Sequence, residues 1–228
     1  GYFRNPTKDQ LRSIPLPAST GAEDITVNFG ENQNVGYEFS VAAQVIRSKN
    51  WAWTTVINGS HVKDRINRIS TTLKNTSYQI EEDSPLRLRF REGGSQYDIY
   101  AVRSAGIDPA TGQEIFIDRN GEYTFRYDAD DEVVVGNTQP KLQGTWLNTL
   151  RYKGWSLNLV FSYKFGGDTY NKTLWSKVED IDPRYNVDAR AFTDRWKRPG
   201  DLSRFLAIKE IRPEDSSYSS ERFVERLN

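Results

Sequence analysis

His61 and a few groups of carboxylates are the residues whose types could do chemistry in this sequence. His61 is the only histidine, and no residues at a fitting spacing complete a Ser-His-Asp triad or a metal site around it. The carboxylates of residues 81–83 and 128–132 could bind calcium, but solvated loop charge is the favoured interpretation. The run Asp118-Arg119-Asn120-Gly121 resembles part of a calcium loop, yet its glycine comes two positions early for an EF-hand. We therefore expect no enzymatic activity, metal or cofactor.

Basic residues cluster most clearly in residues 86–91, where arginine alternates with leucine or phenylalanine. Nucleic-acid binding would favour basic residues interleaved with aromatic ones. The whole chain, however, has 31 Lys+Arg and 31 Asp+Glu, so its formal net charge is zero. An amphipathic strand with a basic surface is the favoured interpretation, and no nucleic-acid partner is expected.

Composition excludes further classes. The chain contains no cysteine, which rules out disulfides, thiolate zinc sites and cysteine nucleophiles. The mean hydropathy is −0.72, and no stretch approaches the ~18 apolar residues of a membrane-spanning helix. A transmembrane β-barrel remains compatible, because its lumen and loops are polar. The start lacks both methionine and the pattern of a signal peptide, which we interpret as a processed chain or an excised fragment.

The elements that position these residues are strands, and residues 155–165 are the clearest. Every odd position from Trp155 to Phe165 is large and apolar or aromatic, and Val160 is the one even position that is not polar. Since alternate side chains of a strand point to opposite faces, this segment has one apolar and one polar face. Eleven residues tilted by about 45° cover roughly 25 Å, which is the height of the apolar band of an outer-membrane barrel. A half-buried strand of a soluble sandwich would give the same pattern.

Two hairpins share one design. Residues 36–47 and 51–60 flank a short polar turn, and residues 142–152 and 155–165 flank another; each turn contains lysine and is followed at once by tryptophan. Asn148 lies on the side of Trp146 and Leu150, which does not suit contact with lipid. Short turns on one side and long loops on the other are typical of outer-membrane barrels.

Other segments are predicted to be short strands, turns and loops. Residues 2–16 are predicted to be extended, residues 25–29 are a predicted short strand, and residues 61–76 fit either a helix or a strand extension. The long stretch 61–141 is predicted to hold turns at Asp108–Gly112 and Asp118–Gly121, with a strand at Glu114–Ile117 between them. The stretch 166–228 is the second long loop, and its part 213–222 is expected to be mobile or loop.

Several motifs together resemble the C-terminal part of SusC/RagA-family TonB-dependent transporters. Their order and spacing, more than any one of them, carry the resemblance. They begin at Thr7 (TKDQL), Ile14 (IPLP), Asn32 (NQNVGYE), Ala105 (AGIDPATG), Val135 (VGNTQP), Tyr152 (YKGWS), Phe165 (FGGD) and Thr193 (TDRWKRPGD).

The resemblance implies an all-β fold: a segment of a large antiparallel transmembrane β-barrel of about 22 strands with long extracellular loops. Residues 1–228 would be part of the C-terminal barrel; the plug, the TonB box and the remaining strands are absent from this chain. The implied function is import of glycan or peptide oligomers across the outer membrane of a Bacteroidota-type bacterium. Implied partners are TonB, a SusD-like surface lipoprotein, outer-membrane lipid and the oligosaccharide or peptide substrate.

If the segment belongs to a barrel, the alternation along its strands assigns residues to the lipid or to the lumen. Ligand-binding residues are unknown. The lipid-facing candidates are Phe39, Val41, Val45, Trp53, Ile57, Leu157, Leu159 and Phe161. The lumen-facing candidates are Gln44, Thr54, Asn58, Ser156, Asn158 and Lys164.

Two alternatives remain open at the level of sequence. A soluble or surface β-rich carbohydrate-binding module would use the same abundant aromatic residues to stack on sugars. A receptor that signals without transporting would share the whole segment and differ in an N-terminal extension.

Overall fold

The computed structural model describes residues 1–15, 24–70, 77–79, 87–181, 184, 186–208 and 219–227. Fourteen strands lie in these ranges, numbered in chain order. The first seven are β1 Tyr2–Pro15, β2 Asp24–Arg47, β3 Trp51–Ile69, β4 Ser77–Gln79, β5 Arg87–Arg89, β6 Asp98–Ala101 and β7 Arg103–Ile107. The others are β8 Glu114–Ile117, β9 Tyr123–Thr124, β10 Val133–Asn137, β11 Leu142–Tyr152, β12 Trp155–Phe165, β13 Asp168–Tyr170 and β14 Val224–Arg226.

The main sheet is antiparallel throughout, in the order β1-β2-β3-β11-β12. The two predicted hairpins form it, and β3 and β11 join them from Tyr152 opposite Trp51 to Gln143 opposite Ser60. The connecting turns also touch, since the backbone N–H of Lys153 donates to the carbonyl of Asn50 at 2.9 Å. An all-β fold is therefore confirmed, with the sheet open at β1 and β12 in this chain.

The long strands differ from the sequence-based boundaries. Residues 25–29 and 36–47, expected as two strands, are one strand of 24 residues. The polar stretch between them stays extended because its backbone pairs with β1 on one side and β3 on the other. The strand expected at 51–60 continues to Ile69, which decides residues 61–69 in favour of a strand extension; residues 71–76 lie outside the described part.

The described residues of the segment between β3 and β11 form a structured excursion, as predicted. Both expected turns close with backbone hydrogen bonds, from Gly112 N to Asp108 O at 2.8 Å and from Gly121 N to Asp118 O at 3.1 Å. The predicted strand between them is β8, which pairs with β7 and β9. The remaining small sheets are β10-β6, β13-β14 and β4-β5.

Short helices complete the second long loop. They are α1 Lys172–Leu174, which runs into a π-helical turn at Trp175–Glu179, α2 Arg190–Thr193, and a 3-10 turn at Glu221–Phe223; a further 3-10 turn, Ala129–Asp131, lies in the first long stretch. None of the described helices has the length and apolar character needed to cross a membrane.

The buried core lies outside the paired hairpins. One apolar cluster, around Phe29, Ile66 and Phe90, joins the far ends of β2 and β3 to the excursion. A larger cluster holds the second long loop together, and its members are Tyr170, Leu174, Trp175, Val178, Ile181, Ala191, Phe205 and Phe223. Within the stretch expected to be mobile or loop, residues 219–222 lie outside the strands and lead into the 3-10 turn, and Ser219 and Ser220 are fully buried; residues 213–218 lie outside the described part.

Candidate membrane wall and loop layer

One side of the main sheet, here called the aromatic face, carries apolar side chains in rows across four strands. Paired residues of an antiparallel sheet share a face, so each row can be read from the register. One row crosses all four strands; its members are Val41, Ile57, Trp146 and Phe161. The next row toward the short turns is Ala43, Thr55, Asn148 and Leu159.

Seven of the eight lipid-facing candidates lie on this face. They are Phe39, Val41, Trp53, Ile57, Leu157, Leu159 and Phe161. Trp53 is half-buried, and the other six are exposed in this chain, from 38% for Ile57 to 59% for Val41. No layer of the described protein covers them, so the aromatic face is not the inside of a self-contained sandwich.

Val45, the eighth candidate, lies at a bulge. Gln44 is opposite Thr54 and Ile46 is opposite Trp53, so Val45 is the extra residue of β2. The bulge moves Ile46 into the row of Trp53 on the aromatic face, whereas simple alternation would put it on the opposite face. An inserted residue of this kind leaves no mark on the alternating pattern that sequence could reveal.

Aromatic rings lie at both ends of the face. Beside the short turns, the rings of Trp51 and Tyr152 are 4.4 Å apart between centroids. Toward the long loops, Tyr163 and Phe165 are 5.4 Å apart, and the ring of Tyr37 is 5.1 Å from that of His61. Amphipathic rings bounding an apolar band are typical of the two interfaces of a membrane.

Two glycines let aromatic rings lie flat across the sheet. A Cβ atom on Gly59 would be 2.4 Å from the ring of Phe39, and one on Gly144 would be 2.6 Å from the hydroxyl of Tyr163. That hydroxyl donates to the carbonyl of Asn58 at 2.7 Å. The rings therefore cover backbone that the glycines would leave bare.

The opposite side, here called the polar face, carries all six lumen-facing candidates. Gln44, Thr54 and Asn158 share one row, and Asn58, Ser156 and Lys164 lie in others. Hydrogen bonds run along the rows: Ser40 Oγ donates to Asn58 Oδ1 at 2.6 Å, and Thr149 Oγ1 donates to Asn158 Oδ1 at 2.9 Å. A polar face of this kind suits contact with water or polar ligands.

A buried ionic cluster holds the loop layer, meaning the described residues 87–141 and 166–227. One Nη atom of Arg222 lies 2.8 Å from a carboxylate oxygen of Glu114 and 2.8 Å from one of Glu179. Burial alone would lower the pKa of Arg222, but the hydrogen bond and charge of Glu114, joined by Glu179, raise it. Ser220 donates its hydroxyl to Glu114 as well. The cluster thus ties β8, the π-helical turn and the C-terminal segment together.

Arg195 is a second buried cation, with 4% of its surface exposed. Its guanidinium donates to the carbonyls of Ala191 at 2.9 Å, Leu206 at 2.8 Å and Glu179 at 2.9 Å. Three backbone carbonyls from separate segments thereby receive a donor from one side chain. Burial also raises the pKa of the Tyr170 phenol, with the charge of Glu114 adding to the effect.

A cleft of about 470 Å³ lies where β3 extends beyond its pairing with β11 and meets the loop layer. Lys63, Arg65 and Lys141 line it together with three carboxylates, Asp64, Asp98 and Asp168. The carboxylates hold the walls of the cleft: Asp64 accepts from Gln96 N at 2.8 Å, Asp98 from Ser95 N at 2.8 Å, and Asp168 from Asn137 N at 2.9 Å.

The residues first considered for chemistry have structural roles. His61 Nδ1 lies 2.5 Å from the carbonyl of Lys141, just past the end of the β3–β11 pairing. Asp128 caps a 3-10 turn, and Glu132 is buried and accepts from Ser219 at 2.7 Å. No group of three potential metal ligands occurs among the described residues; residues 81–83 lie outside them.

Comparison with known proteins finds relatives among the TonB-dependent receptors, as the motifs indicate. No family model matches the chain. The TonB-dependent receptor P39 of Formosa agariphila is 24% identical over 96% of this chain and 25% of its own length. The TonB-dependent receptor P3 of the same organism is 28% identical over 76% of the chain. SusC of Bacteroides thetaiotaomicron is 24% identical over 78% of the chain and 18% of its own length.

Solved structures agree in fold. A structure of the RagAB peptide transporter superposes with a TM-score of 0.74 at 19% identity, covering 99% of this chain and 25% of that one. The RagAB importer in a closed-closed state gives a TM-score of 0.73. The homologues of this chain are thus TonB-dependent receptors, SusC among them, and the chain spans about a quarter of the length of the first of them. The sequence-based resemblance is confirmed, and so is the fold class, a segment of the RagAB barrel fold.

Proposed function

We propose that residues 1–228 form part of the C-terminal barrel wall and the extracellular loop layer of a SusC-like importer in a bacterial outer membrane. The aromatic face meets lipid and the polar face meets the lumen. The observation that carries this proposal is the exposed aromatic face itself. It matches the ~25 Å apolar band of such barrels and is bounded by aromatic rings at both ends.

The unpaired edges of the sheet support the proposal that these strands are part of a wall that further strands complete. β12 is the last strand of the sheet, so the backbone groups along one of its sides have no strand partner among the described residues. An unpaired edge in hydrocarbon costs several kcal/mol per polar group. Membrane barrels avoid this cost by closing the sheet, which here requires strands beyond those of this chain.

The lengths of the strands support the orientation. β2 has 24 residues, which at about 3.3 Å each is far more than a tilted strand needs to cross the bilayer. Its residues 30–34, on the loop side of Tyr37, are glycine or polar, and the loop layer packs beside this end of the strand through Phe29, Ile66 and Phe90. The loop layer therefore lies outside the membrane, on the side of the long loops.

The cargo would be an oligomer taken up from outside the cell. A structural neighbour is a peptide transporter, and the sequence motifs resemble a family of glycan or peptide importers, so peptide or glycan oligomers are the proposed substrates. Energy would come through TonB, and a SusD-like lipoprotein would cap the loop layer. A soluble carbohydrate-binding module is disfavoured because it would leave Leu157, Leu159 and Phe161 in water.

Spin labels on neighbouring positions test the orientation. This chain has no cysteine, so Phe161→Cys and Ser162→Cys can be labelled singly in a receptor freed of other cysteines. In the outer membrane, the label at 161 should respond to lipid-soluble oxygen, and the label at 162 to a water-soluble nickel chelate. The reverse preference, or a receptor found outside the membrane fraction, would contradict the proposed wall.

Uptake tests the transport function. A strain that lacks the receptor should lose uptake of labelled peptide or glycan oligomers, and the intact gene should restore it only when TonB is present. Restored uptake without TonB would refute energised import, and unchanged uptake in the deletion strain would refute import of those substrates.

A further inference from the structure

Three cations lie on the aromatic face just beyond its row of aromatic residues at the loop end. They are Arg4, Lys63 and Arg65. The register places Arg4, Val35 and Lys63 in one row, and Gln33 lies opposite Arg65 in the next. Arg4 Nη2 also donates to Gln33 Oε1 at 2.9 Å, which links the two rows.

These cations share their face with the lipid-facing candidates. Tyr37 pairs with Tyr2 on one side and His61 on the other, and Val35 and Lys63 are the next residues of β2 and β3 on that same face. The row of Arg4 and Lys63 is therefore about 7 Å beyond the row of Tyr37 and His61, toward the loop layer. That is the depth at which lipid headgroups begin.

The three cations are open to a ligand. Arg4, Lys63 and Arg65 are all exposed, and none of them pairs with a carboxylate among the described residues. Asp64 points to the opposite face and is buried against Gln96. The nearest acid on the aromatic face is Glu31, and Arg68 lies opposite it.

We infer that Arg4, Lys63 and Arg65 form a site for the phosphate groups of lipid A in the outer leaflet. This inference rests on the orientation given by the proposed function. Arginine binds phosphate through a two-pronged donor geometry, and lysine binds it as a point charge. The long stems of these side chains can lie along the apolar surface while the charges reach the headgroups.

The spacing suits a single headgroup. Arg4 and Lys63 are two strands apart, about 10 Å, while Lys63 and Arg65 are about 7 Å apart along one strand. A phosphate between the strands is thus approached from two directions. The chain as a whole is neutral, so the attraction comes from this local group and not from net charge.

Lipid binding by the purified full-length receptor tests the site. The variant Arg4→Gln/Lys63→Gln/Arg65→Gln removes the cations, and Arg47→Gln/Arg151→Gln/Lys164→Gln removes equal charge from the polar face. The probes are nanodiscs that contain phosphorylated lipid A or the same lipid after phosphatase treatment. Binding is measured by native mass spectrometry of the lipid retained on the receptor.

We expect the first variant to bind phosphorylated lipid A about tenfold more weakly and the control to bind it as the wild type does. The treated lipid should bind the wild type as weakly as the intact lipid binds the first variant. The inference would be overturned if both variants bound phosphorylated lipid A equally or if phosphatase treatment had no effect. It would also be overturned if inorganic phosphate alone displaced the lipid, because the site would then be one for free phosphate. If one of these overturning results is found while the spin labels at 161 and 162 report the proposed orientation, only the lipid A inference is rejected. If the spin labels report the reverse orientation, the proposed function is rejected as well.

Discussion

The indole N–H of Trp53 donates a hydrogen bond to the side-chain oxygen of Asn148 at 3.1 Å across the β3–β11 pair. Asn148 lies in the middle of the aromatic face but is only 6% exposed. Its partner across the strands, Thr55, accepts from the indole of Trp146 at 2.8 Å. Two tryptophans thus satisfy and cover the polar pair that would otherwise lie bare on the aromatic face.

Replacing Trp53 by Phe should uncover this polar pair. The ring remains, but the donor is lost, and an unsatisfied buried acceptor costs about 1–3 kcal/mol. Chemical denaturation of the receptor in lipid vesicles measures the loss. In an Asn148→Leu background the same substitution should cost much less, because no acceptor is left to satisfy. Equal costs in both backgrounds would show that the hydrogen bond is not the reason.

A charge placed on either side of β12 should distinguish the two faces. Leu159→Arg puts the charge near the middle of the aromatic face and should cost about 2–4 kcal/mol, whereas Asn158→Arg on the polar face should be nearly neutral. Assembly in the outer membrane and the denaturant midpoint are the measurements. If both variants assemble and unfold alike, the assignment of the faces is wrong.

Removing Arg222 should loosen the loop layer without opening the sheet. Arg222→Met leaves Glu114 and Glu179, which are 3% exposed or less, with uncompensated charge, and breaking such a pair costs about 3–5 kcal/mol. Hydrogen exchange should speed up in β8 and the π-helical turn but stay unchanged in β11 and β12.

An exposed ion pair gives the matched control for that experiment. Asp188 has a pKa lowered to about 2, first by its side-chain hydrogen bond with Arg190 and then by the backbone N–H of that residue. Because both groups are open to water, Arg190→Met should leave exchange in the loop layer as it is. Equal effects of the two substitutions would contradict a special role for the buried cluster.

Sequence predicts the local elements here and misses what joins them. The alternation of β12 is visible because each residue reports its own face. The bulge at Val45 and the partners of the motifs are not visible, since they depend on residues far apart in the chain. Asn137, from the VGNTQP motif, donates its backbone N–H to Asp168 of the FGGD motif. The family motifs are thus pieces of shared contacts, which explains why only their combined order was informative.

The contact between Trp196 and Gly112 joins two further motifs across the loop layer. Trp196 donates its indole N–H to the carbonyl of Pro109 at 2.8 Å. Gly112 has a φ of +70°, and a Cβ atom there would be 2.5 Å from the ring of Trp196. Gly121 has a similar φ of +86° but nothing within 4 Å of its Cβ position. The two glycines therefore differ in packing and share the same backbone requirement.

Alanine at these two positions should separate the effects of strain and collision. Both substitutions place a side chain at positive φ, which costs about 1–3 kcal/mol. Gly112→Ala also pushes against Trp196 and should cost about 1–3 kcal/mol more. Limited proteolysis and the tryptophan fluorescence of the receptor report the loosened contact. Trp196→Ala in the Gly112→Ala background removes the collision, so the alanine at 112 should then cost no more than the one at 121. If Gly112→Ala and Gly121→Ala are equally mild with Trp196 present, the ring does not pack against this turn.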